Sequence, residues 1–181
     1  YVPQAEGRHF AFSVFEFVLM ARYPHLSPFS AVRAADEEAA RRALRLAGAD
    51  ALADRAHGSL SGGERQKVFI AAAFAQEAPI LLLDEPTTFL DPHHQADIFR
   101  ILHRANREAG VTILTVTHDV NSAVLASSRI LALREGRVVY WGGAGSVMDN
   151  DVLRRIYDKE FLFASHPVTG QPMLVPEGAA R

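Results

Sequence analysis

The sequence predicts an α/β fold in which helices cover a parallel sheet and a helix-rich segment stands apart. From Ile80 onward, apolar runs of strand length alternate with helical segments, a pattern typical of a parallel sheet. Residues 13–56 lie outside that alternation and carry mainly helical signals. We therefore expect a helical subdomain over residues 13–78, an α/β core over residues 79–143, and a C-terminal helix with an irregular tail over residues 144–181.

Three helical segments precede the first predicted strand. Residues 13–22 are apolar around most of a helix surface, so this helix needs other elements to bury it. The second helix opens at three acids, residues 36–38, which favour a helix N-terminus, and Gly48 is its predicted end. After a short helical turn over residues 51–55, the third helix covers residues 62–76.

The elements that follow are bounded mainly by proline, glycine and aspartate. Residues 80–84 form an apolar run of strand type, and residues 93–109 form an amphipathic helix that ends before Gly110. The β-branched residues 111–117 predict the next strand. The remaining predictions are a helix over 121–126, strands over 129–133 and 137–141 joined at Glu135–Gly136, a largely helical stretch over 146–158, and an irregular or hairpin tail over 161–175.

Composition excludes several classes of protein. Hydrophobic residues make up 49% of the chain and charged residues 22%, which is ordinary for a globular domain. A net charge of −2 gives no electrostatic basis for binding nucleic acid, and the absence of cysteine excludes disulfides and thiolate metal sites. The longest apolar-rich stretch, Phe10–Ala21, is shorter than the roughly 20 residues that cross a bilayer. We therefore expect no direct membrane insertion, so that any membrane role requires a partner.

The start of the third helix carries the strongest chemical signal. Ser61 is a favourable N-cap, and Glu64 follows at the spacing of a capping box. Gly62 and Gly63 leave the amide N–H groups of the first turn uncovered, and the helix dipole favours an anion there. The pattern predicts a phosphate site, with a plain capped helix after a flexible loop as the alternative.

Two acids end the first predicted strand. Asp84 and Glu85 point to opposite sides of the strand, so one can reach a metal bound to phosphate while the other addresses a separate position. Hydrolysis of ATP needs this division, with one group for the metal and one to orient or deprotonate water. The alternative is that both acids simply end a buried strand in solvent.

One histidine lies in a comparable position. His118 follows the β-branched strand at its C-terminal end, the edge where open α/β sheets bind ligands, so its imidazole is a candidate donor to a phosphate. The alternative is a loop histidine without a role. His93 and His94 are adjacent and diverge on a helix, so they indicate no metal site.

Five motifs resemble those of ABC-type ATPases and follow the family's order along the chain, and the resemblance covers most of the chain. Leu60–Gln66 (Leu-Ser-Gly-Gly-Glu-Arg-Gln) resembles the signature motif, and Leu81–Pro86 (Leu-Leu-Leu-Asp-Glu-Pro) resembles the Walker B strand with its adjoining glutamate. Phe89–Asp91 resembles the D-loop, Thr117–Asp119 the switch histidine, and Tyr1–Gln4 the Q-loop. The resemblance implies a core like that of the P-loop NTPases.

The resemblance also implies the roles of individual residues toward ATP and Mg²⁺. Asp84 and Gln4 would bind Mg²⁺, and Glu85 would be the general base. His118 would contact the γ-phosphate, while Gln4 would also contact the catalytic water and link the nucleotide site to the helical subdomain. The signature residues expected to bind ATP are Ser61, Gly62, Gly63 and Glu64.

The implied partners are a second ATP-binding subunit and a transmembrane permease subunit. Phosphate at the signature helix would lie far from this chain's own Asp84, so the family architecture requires a head-to-tail homodimer. Asp91 would contribute across the dimer interface, a role compatible with its local pattern as a helix N-cap before Pro92. The permease would place the protein peripherally at the cytoplasmic face of the cell membrane, with the apolar helix over residues 13–22 and the following loop as a docking surface.

A phosphate loop of the form G-x-x-x-x-G-K-[ST] is missing from these residues. The two lysines, Lys67 and Lys159, lie in no such loop, and the glycine-rich residues 142–146 are not followed by lysine. In the family this motif precedes the Q-loop, and Tyr1 is not an initiator methionine. We therefore expect an incomplete ABC ATPase domain whose β-rich beginning lies upstream of Tyr1, and we expect the chain as given neither to bind ATP tightly nor to hydrolyse it.

The motifs resemble the importer branch of the family. Exporter-type members carry a characteristic stretch before the signature that residues 54–59 lack, and residues 5–59 are too few for the coiled coil of chromosome-maintenance relatives. Residues 18–25, 88–91 and 166–172 resemble ATPases that serve uptake of iron-siderophores, haem and cobalamin. Two alternatives remain at this point: a naturally truncated, non-hydrolysing chain that completes a partner's site, and a soluble ABC ATPase without a permease.

Overall fold

The computed structural model describes residues 12–27 and 31–175, so Gln4 lies outside the described residues. These residues form two compact units, one that ends at Val116 and one that begins at Thr117. Helices combine with parallel and antiparallel strand pairs, which confirms the predicted α/β class. The predicted subdomain boundaries at residues 78 and 143 stay a prediction.

The first unit contains four helices and two strands within its described residues. They are α1 (Val14–Met20), α2 (Ala34–Leu46), α3 (Gly62–Ala75), β1 (Ile80–Asp84), α4 (Pro92–Ala109) and β2 (Thr112–Val116), with 3₁₀ turns at Tyr23–His25, Asp50–Leu52 and His57–Ser59. Every predicted helix and strand of this unit is present; both ends of β1 match the prediction, and other ends differ by at most three residues. The left-handed conformations of Gly48 and Gly110 end α2 and α4 as predicted, since glycine adopts positive φ without steric strain.

Two hydrophobic clusters meet at α3. The first packs Val14 and Val18 of α1 against small and aliphatic residues of α2 and α3, so α1 buries its apolar surface largely within this unit. The second packs Ile70 of α3 against Leu81 and Leu83 of β1 and against one face of α4. Because α3 contributes to both clusters, its position is fixed from two sides.

A buried arginine ties three helices together. The Arg22 guanidinium, 6% exposed, donates to the Ala75 carbonyl at 2.6 Å and to the Glu77 carboxylate at 2.8 Å. It also contacts Asp36 of α2 at 3.3 Å. These contacts connect the residues that follow α1 with the C-terminal end of α3, and the Arg22 hydrogen bond lowers the pKa of Glu77.

The strands β1 and β2 form the predicted parallel pair. Ile80 pairs with Thr112, and the register continues to Asp84 opposite Val116. Alternate residues of β1 are buried, because Leu81 and Leu83 face α3 and α4. Both strands end together, so the residues that follow β1 and β2 leave the same edge of the pair.

The second unit consists of two antiparallel hairpins and two helices within its described residues. Its elements are α5 (Val120–Ala126), β3 (Arg129–Arg134), β4 (Arg137–Gly143), a 3₁₀ turn (Ala144–Val147), α6 (Asn150–Tyr157), β5 (Leu162–Ser165) and β6 (Pro172–Val175). The hairpin predicted at Glu135–Gly136 is confirmed, with positive φ at both residues as a type I′ turn requires. The tail forms the second hairpin, in which Leu162 pairs with Val175. Across residues 12–27 and 31–175, no helix combines the length and the apolar character needed to cross a membrane.

Candidate functional site

The predicted capping box at the start of α3 is present. The Ser61 hydroxyl accepts a hydrogen bond from the Glu64 backbone N–H at 3.3 Å, and the Glu64 carboxylate accepts one from the Ser61 N–H at 2.8 Å. Arg55 donates to the other carboxylate oxygen of Glu64 at 2.8 Å. The Ser61 N–H, followed by the Ser61 hydroxyl and Arg55, lowers the pKa of Glu64. Local hydrogen bonds therefore fix this helix start and keep its carboxylate ionised.

The two glycines at the start of α3 lack side chains for different reasons. A Cβ on Gly62 would meet no heavy atom of the described residues within 4 Å, and Gly62 is exposed. A Cβ on Gly63 would lie 1.9 Å from Cδ2 and 2.6 Å from Nε2 of His94, well inside van der Waals contact. Gly62 therefore leaves space in front of the first-turn amides, whereas helix packing excludes a side chain at Gly63.

The first turn of α4 lies against this glycine. Asp91 caps α4, with one carboxylate oxygen accepting from the His94 backbone N–H at 2.9 Å and the other 2.7 Å from His94 Nδ1. Pro92 occupies the first helical position, as the local pattern of an N-cap predicts. The backbone hydrogen bond, and then the ring contact, lowers the pKa of Asp91. Its predicted contribution across a dimer interface stays a prediction.

Two carboxylates stand at the end of β1. Asp84 is the last strand residue and pairs with Val116, and the Glu85 N–H donates to the Val116 carbonyl at 3.0 Å. The Glu85 carboxylate accepts a hydrogen bond from the Thr88 hydroxyl at 2.8 Å. Both acids are half-buried. The parallel pairing therefore presents both at the C-terminal edge of the strands, the edge where α/β sheets bind ligands.

Backbone strain is concentrated in the loop between β1 and α4. Glu85 has φ +47° and Phe89 has φ +65°, both in the left-handed region that non-glycine residues rarely adopt. Phe89 is also 91% exposed, so burial of its ring does not compensate for the strain. Such conformations cost on the order of 1–3 kcal/mol each and cluster at functional sites. The strain marks residues 85–90 as a candidate functional loop.

His118 lies two residues beyond β2, at the start of the second unit. Its side chain is exposed. The next residue, Asp119, caps α5 by accepting from the Ser122 N–H at 3.2 Å, and the Asp119 N–H donates to the Thr117 hydroxyl at 3.1 Å. His118 is thus placed between a strand end and a capped helix, as the sequence predicts, and its role toward phosphate stays a prediction.

The metal ligands predicted from the sequence are only partly described. Asp84 lies at the end of β1, whereas Gln4 is outside the described residues. Within the part of the chain that the structure describes, no group of three or more histidine, cysteine, aspartate or glutamate residues is placed to hold a metal ion. A single carboxylate at a strand end suits Mg²⁺ that is also bound by phosphate oxygens and water, since Mg²⁺ commonly uses one or two protein carboxylates.

Sequence reasoning missed His94. Its ring is 29% exposed and contacts both Gly63 and Asp91, whereas the side chain of neighbouring His93 is 81% exposed. The spacing Asp91-x-x-His94 could have indicated the contact with the helix cap. No sequence pattern indicates the contact with Gly63, because it depends on how α3 and α4 cross.

Comparison with known proteins extends over nearly the whole chain. A family model described as ABC transporter matches residues 1–88. The ferric enterobactin transport ATP-binding protein FepC of Escherichia coli (strain K12) is 43% identical over 166 residues, which make up 92% of this chain and 61% of that protein. The chain therefore spans less than two thirds of the length of this relative.

The solved structures that are similar to the chain include two at 30% identity. One is an inward-facing ABC transporter described as of the metal-chelate type, with a TM-score of 0.88 and 30% identity, covering 98% of this chain and 71% of that chain. The other is a bacterial ABC transporter cassette solved as a dimer, with a TM-score of 0.65 and 30% identity, covering 79% of this chain and 61% of that chain. The first similarity includes the second unit as well as the residues matched by the family model.

Proposed function

This chain belongs to the ABC transporter family of ATP-binding proteins, and from that membership we propose that the whole protein hydrolyses ATP to drive an importer. The observation that carries the proposal is the start of α3, where Ser61 and Glu64 form a capping box behind an exposed Gly62. A helix start of this kind binds phosphate, because its amide N–H groups and dipole both favour an anion. The chemistry at the end of β1 fits the same substrate.

We assign each site residue a separate role in cleavage of the phosphoanhydride bond of ATP. Asp84 would hold Mg²⁺, which neutralises charge on the phosphate oxygens when it is bound. Glu85 would orient and deprotonate the attacking water, and the strained backbone at this residue holds its carboxylate next to Thr88. His118 would donate to the γ-phosphate, and Gln4 would contact Mg²⁺ and the water. Ser61, Gly62, Gly63 and Glu64 would bind the phosphates of a nucleotide held by a second subunit.

The assembly that we propose has two copies of this protein in head-to-tail orientation and a transmembrane permease. The solved dimer of a related cassette supports the pair. In this pair Asp91 would contribute across the interface between the two copies. The names of the similar proteins, one for ferric enterobactin and one for metal chelates, support uptake of an iron-siderophore or a related chelate such as haem or cobalamin. The protein would then lie peripherally at the cytoplasmic face of the membrane.

Replacement of Glu85 tests the proposal. The whole protein, expressed from its full coding sequence, should hydrolyse ATP, and E85Q should lower turnover by roughly a hundredfold or more while ATP binding is retained. The control E108Q changes an exposed glutamate on α4 and should leave turnover intact. Normal hydrolysis by E85Q would contradict the assignment of the base. A whole protein that binds ATP at the start of α3 without hydrolysing it would favour the non-enzymatic alternative.

A further inference from the structure

The helices α3 and α4 meet at their first turns through Gly63 and His94. The ring edge of His94 that carries Cδ2 and Nε2 occupies the position where a side chain of residue 63 would project. Gly63 is buried, and its φ is not in the left-handed region, so the backbone conformation there does not require glycine. Position 63 requires glycine because the His94 imidazole occupies the space that any side chain there would need.

The opposite side of the same ring is held by the helix cap. His94 Nδ1 lies 2.7 Å from an oxygen of Asp91, while the second oxygen accepts from the His94 backbone N–H. An ionised carboxylate can only accept hydrogen bonds, so Nδ1 carries the proton and Nε2 faces α3. The His94 imidazole therefore lies between the Asp91 carboxylate and Gly63 and contacts both.

A second contact, one turn further along both helices, keeps α3 and α4 in register. Lys67 Nζ lies 2.5 Å from a carboxylate oxygen of Asp97, and Arg100 donates to the other oxygen at 2.9 Å. The Lys67 and Asp97 side chains are only 19% and 13% exposed, so solvent screens this pair weakly. The Lys67–Asp97 contact fixes the second turns of α3 and α4 relative to each other. Any shift of the first turn of α3 relative to the first turn of α4 therefore changes the contact between Gly63 and the His94 ring.

We propose that His94 is a positioning residue that couples the Asp91 carboxylate to the N-terminus of α3. While Asp91 holds Nδ1, the ring is fixed in the orientation that supports Gly63. When the carboxylate turns toward another donor, the ring loses its partner and the first turn of α3 gains freedom to shift. The orientation of the Asp91 carboxylate therefore affects the position of the backbone amides in the first turn of α3. The relevance of this coupling to ATP rests on the function proposed above.

The coupling can be measured without ATP, from the backbone amide resonance of Gly63 in the purified protein. D91N retains a good N-cap, but it replaces the carboxylate oxygen that faces His94 Nδ1 with an NH₂ donor. The ring can meet that donor only by moving its proton to Nε2, which changes the group that faces Gly63. We expect D91N to shift the Gly63 resonance in the otherwise native protein and to leave it unshifted when H94A is also present. The control H103A removes an exposed imidazole further along α4 and should leave the effect of D91N intact. Equal shifts with and without H94A, or no shift in either, would overturn the proposal.

A second experiment measures whether the contact between Asp91, His94 and Gly63 affects ATP turnover. In the whole protein, H94A should lower ATP turnover roughly tenfold through misplacement of the α3 start. The control H103A, which removes an exposed imidazole further along α4, should leave turnover unchanged. Full turnover by H94A would overturn the role of this residue in the reaction. Absence of hydrolysis by the native protein would instead count against the proposed function, and the Gly63 resonance would still decide whether His94 couples the two elements.

Discussion

The start of α3 and the loop that follows β1 are both candidate phosphate-handling regions, but they are built in opposite ways. At the start of α3, Ser61 and Glu64 satisfy each other's backbone N–H groups within four residues, and no φ there is left-handed. In the loop, Glu85 and Phe89 are strained, and Glu85 is held by a carbonyl of β2 more than thirty positions along the chain. Hydrogen bonds between residues close in sequence stabilise the start of α3, whereas pairing with β2 fixes the conformation of the loop that follows β1.

This difference separates binding from catalysis in physical terms. A helix start needs only uncovered amides and space in front of them to bind phosphate, so local hydrogen bonds are sufficient. A general base must be held at one position relative to a water molecule, and that precision comes from strand pairing that overrides the preferred backbone conformation. At Gly63, which contacts His94 of α4, the start of α3 also depends on a residue distant in sequence.

The largest expected effect on stability comes from this point of contact. G63A should lower the free energy of unfolding by roughly 1–3 kcal/mol, because the new methyl group overlaps the His94 ring and overpacks the junction between α3 and α4. The matched variant G62A places the same methyl group in open space and should be neutral or slightly stabilising. Denaturant unfolding of both proteins measures the difference, and equal stability would show that His94 moves away freely.

An intermediate effect is expected from the strained residue of the loop. E85G and E85A both remove the carboxylate, but only glycine adopts φ +47° without steric strain. E85G should therefore be more stable than E85A by about 1 kcal/mol, measured by the same unfolding experiment. A pair of variants with equal stability would mean that the left-handed conformation at this residue carries no strain.

The smallest effect concerns the pH dependence of the α3 start. The folded state lowers the pKa of Glu64 from its ordinary value of 4.5, so the unfolded chain binds a proton first as the pH falls. The stabilisation is therefore complete above pH 4.5 and is lost as the pH falls through the folded pKa. E64Q retains a residue suited to the capping box but does not titrate, so it should flatten the loss of stability below pH 4.5. Acid unfolding as steep as that of the native protein would contradict this origin of the pH dependence.

Much of the fold follows from short-range patterns. The limits of β1, the cap of α4 at Asp91 and the turn at Glu135–Gly136 agree with the sequence, because each depends on residues within a few positions of one another. The α/β class and the capping box at Ser61 were predictable for the same reason. The roles proposed for Glu85 and His118 came from resemblance to a family, since a carboxylate or an imidazole at a strand end has no unique function by itself.

The sequence by itself determined which helices and strands form and placed their ends to within three residues in the first unit. Only the tertiary structure decided that His94 closes the space beside Gly63, that Lys67 of α3 bonds to Asp97 of α4, and that Glu85 is held in a left-handed conformation by β2. The physical reason is the range of the interactions. Helical periodicity and capping act over three or four positions, whereas these contacts join residues about thirty positions apart and exist only once α3 and α4 cross and β1 pairs with β2.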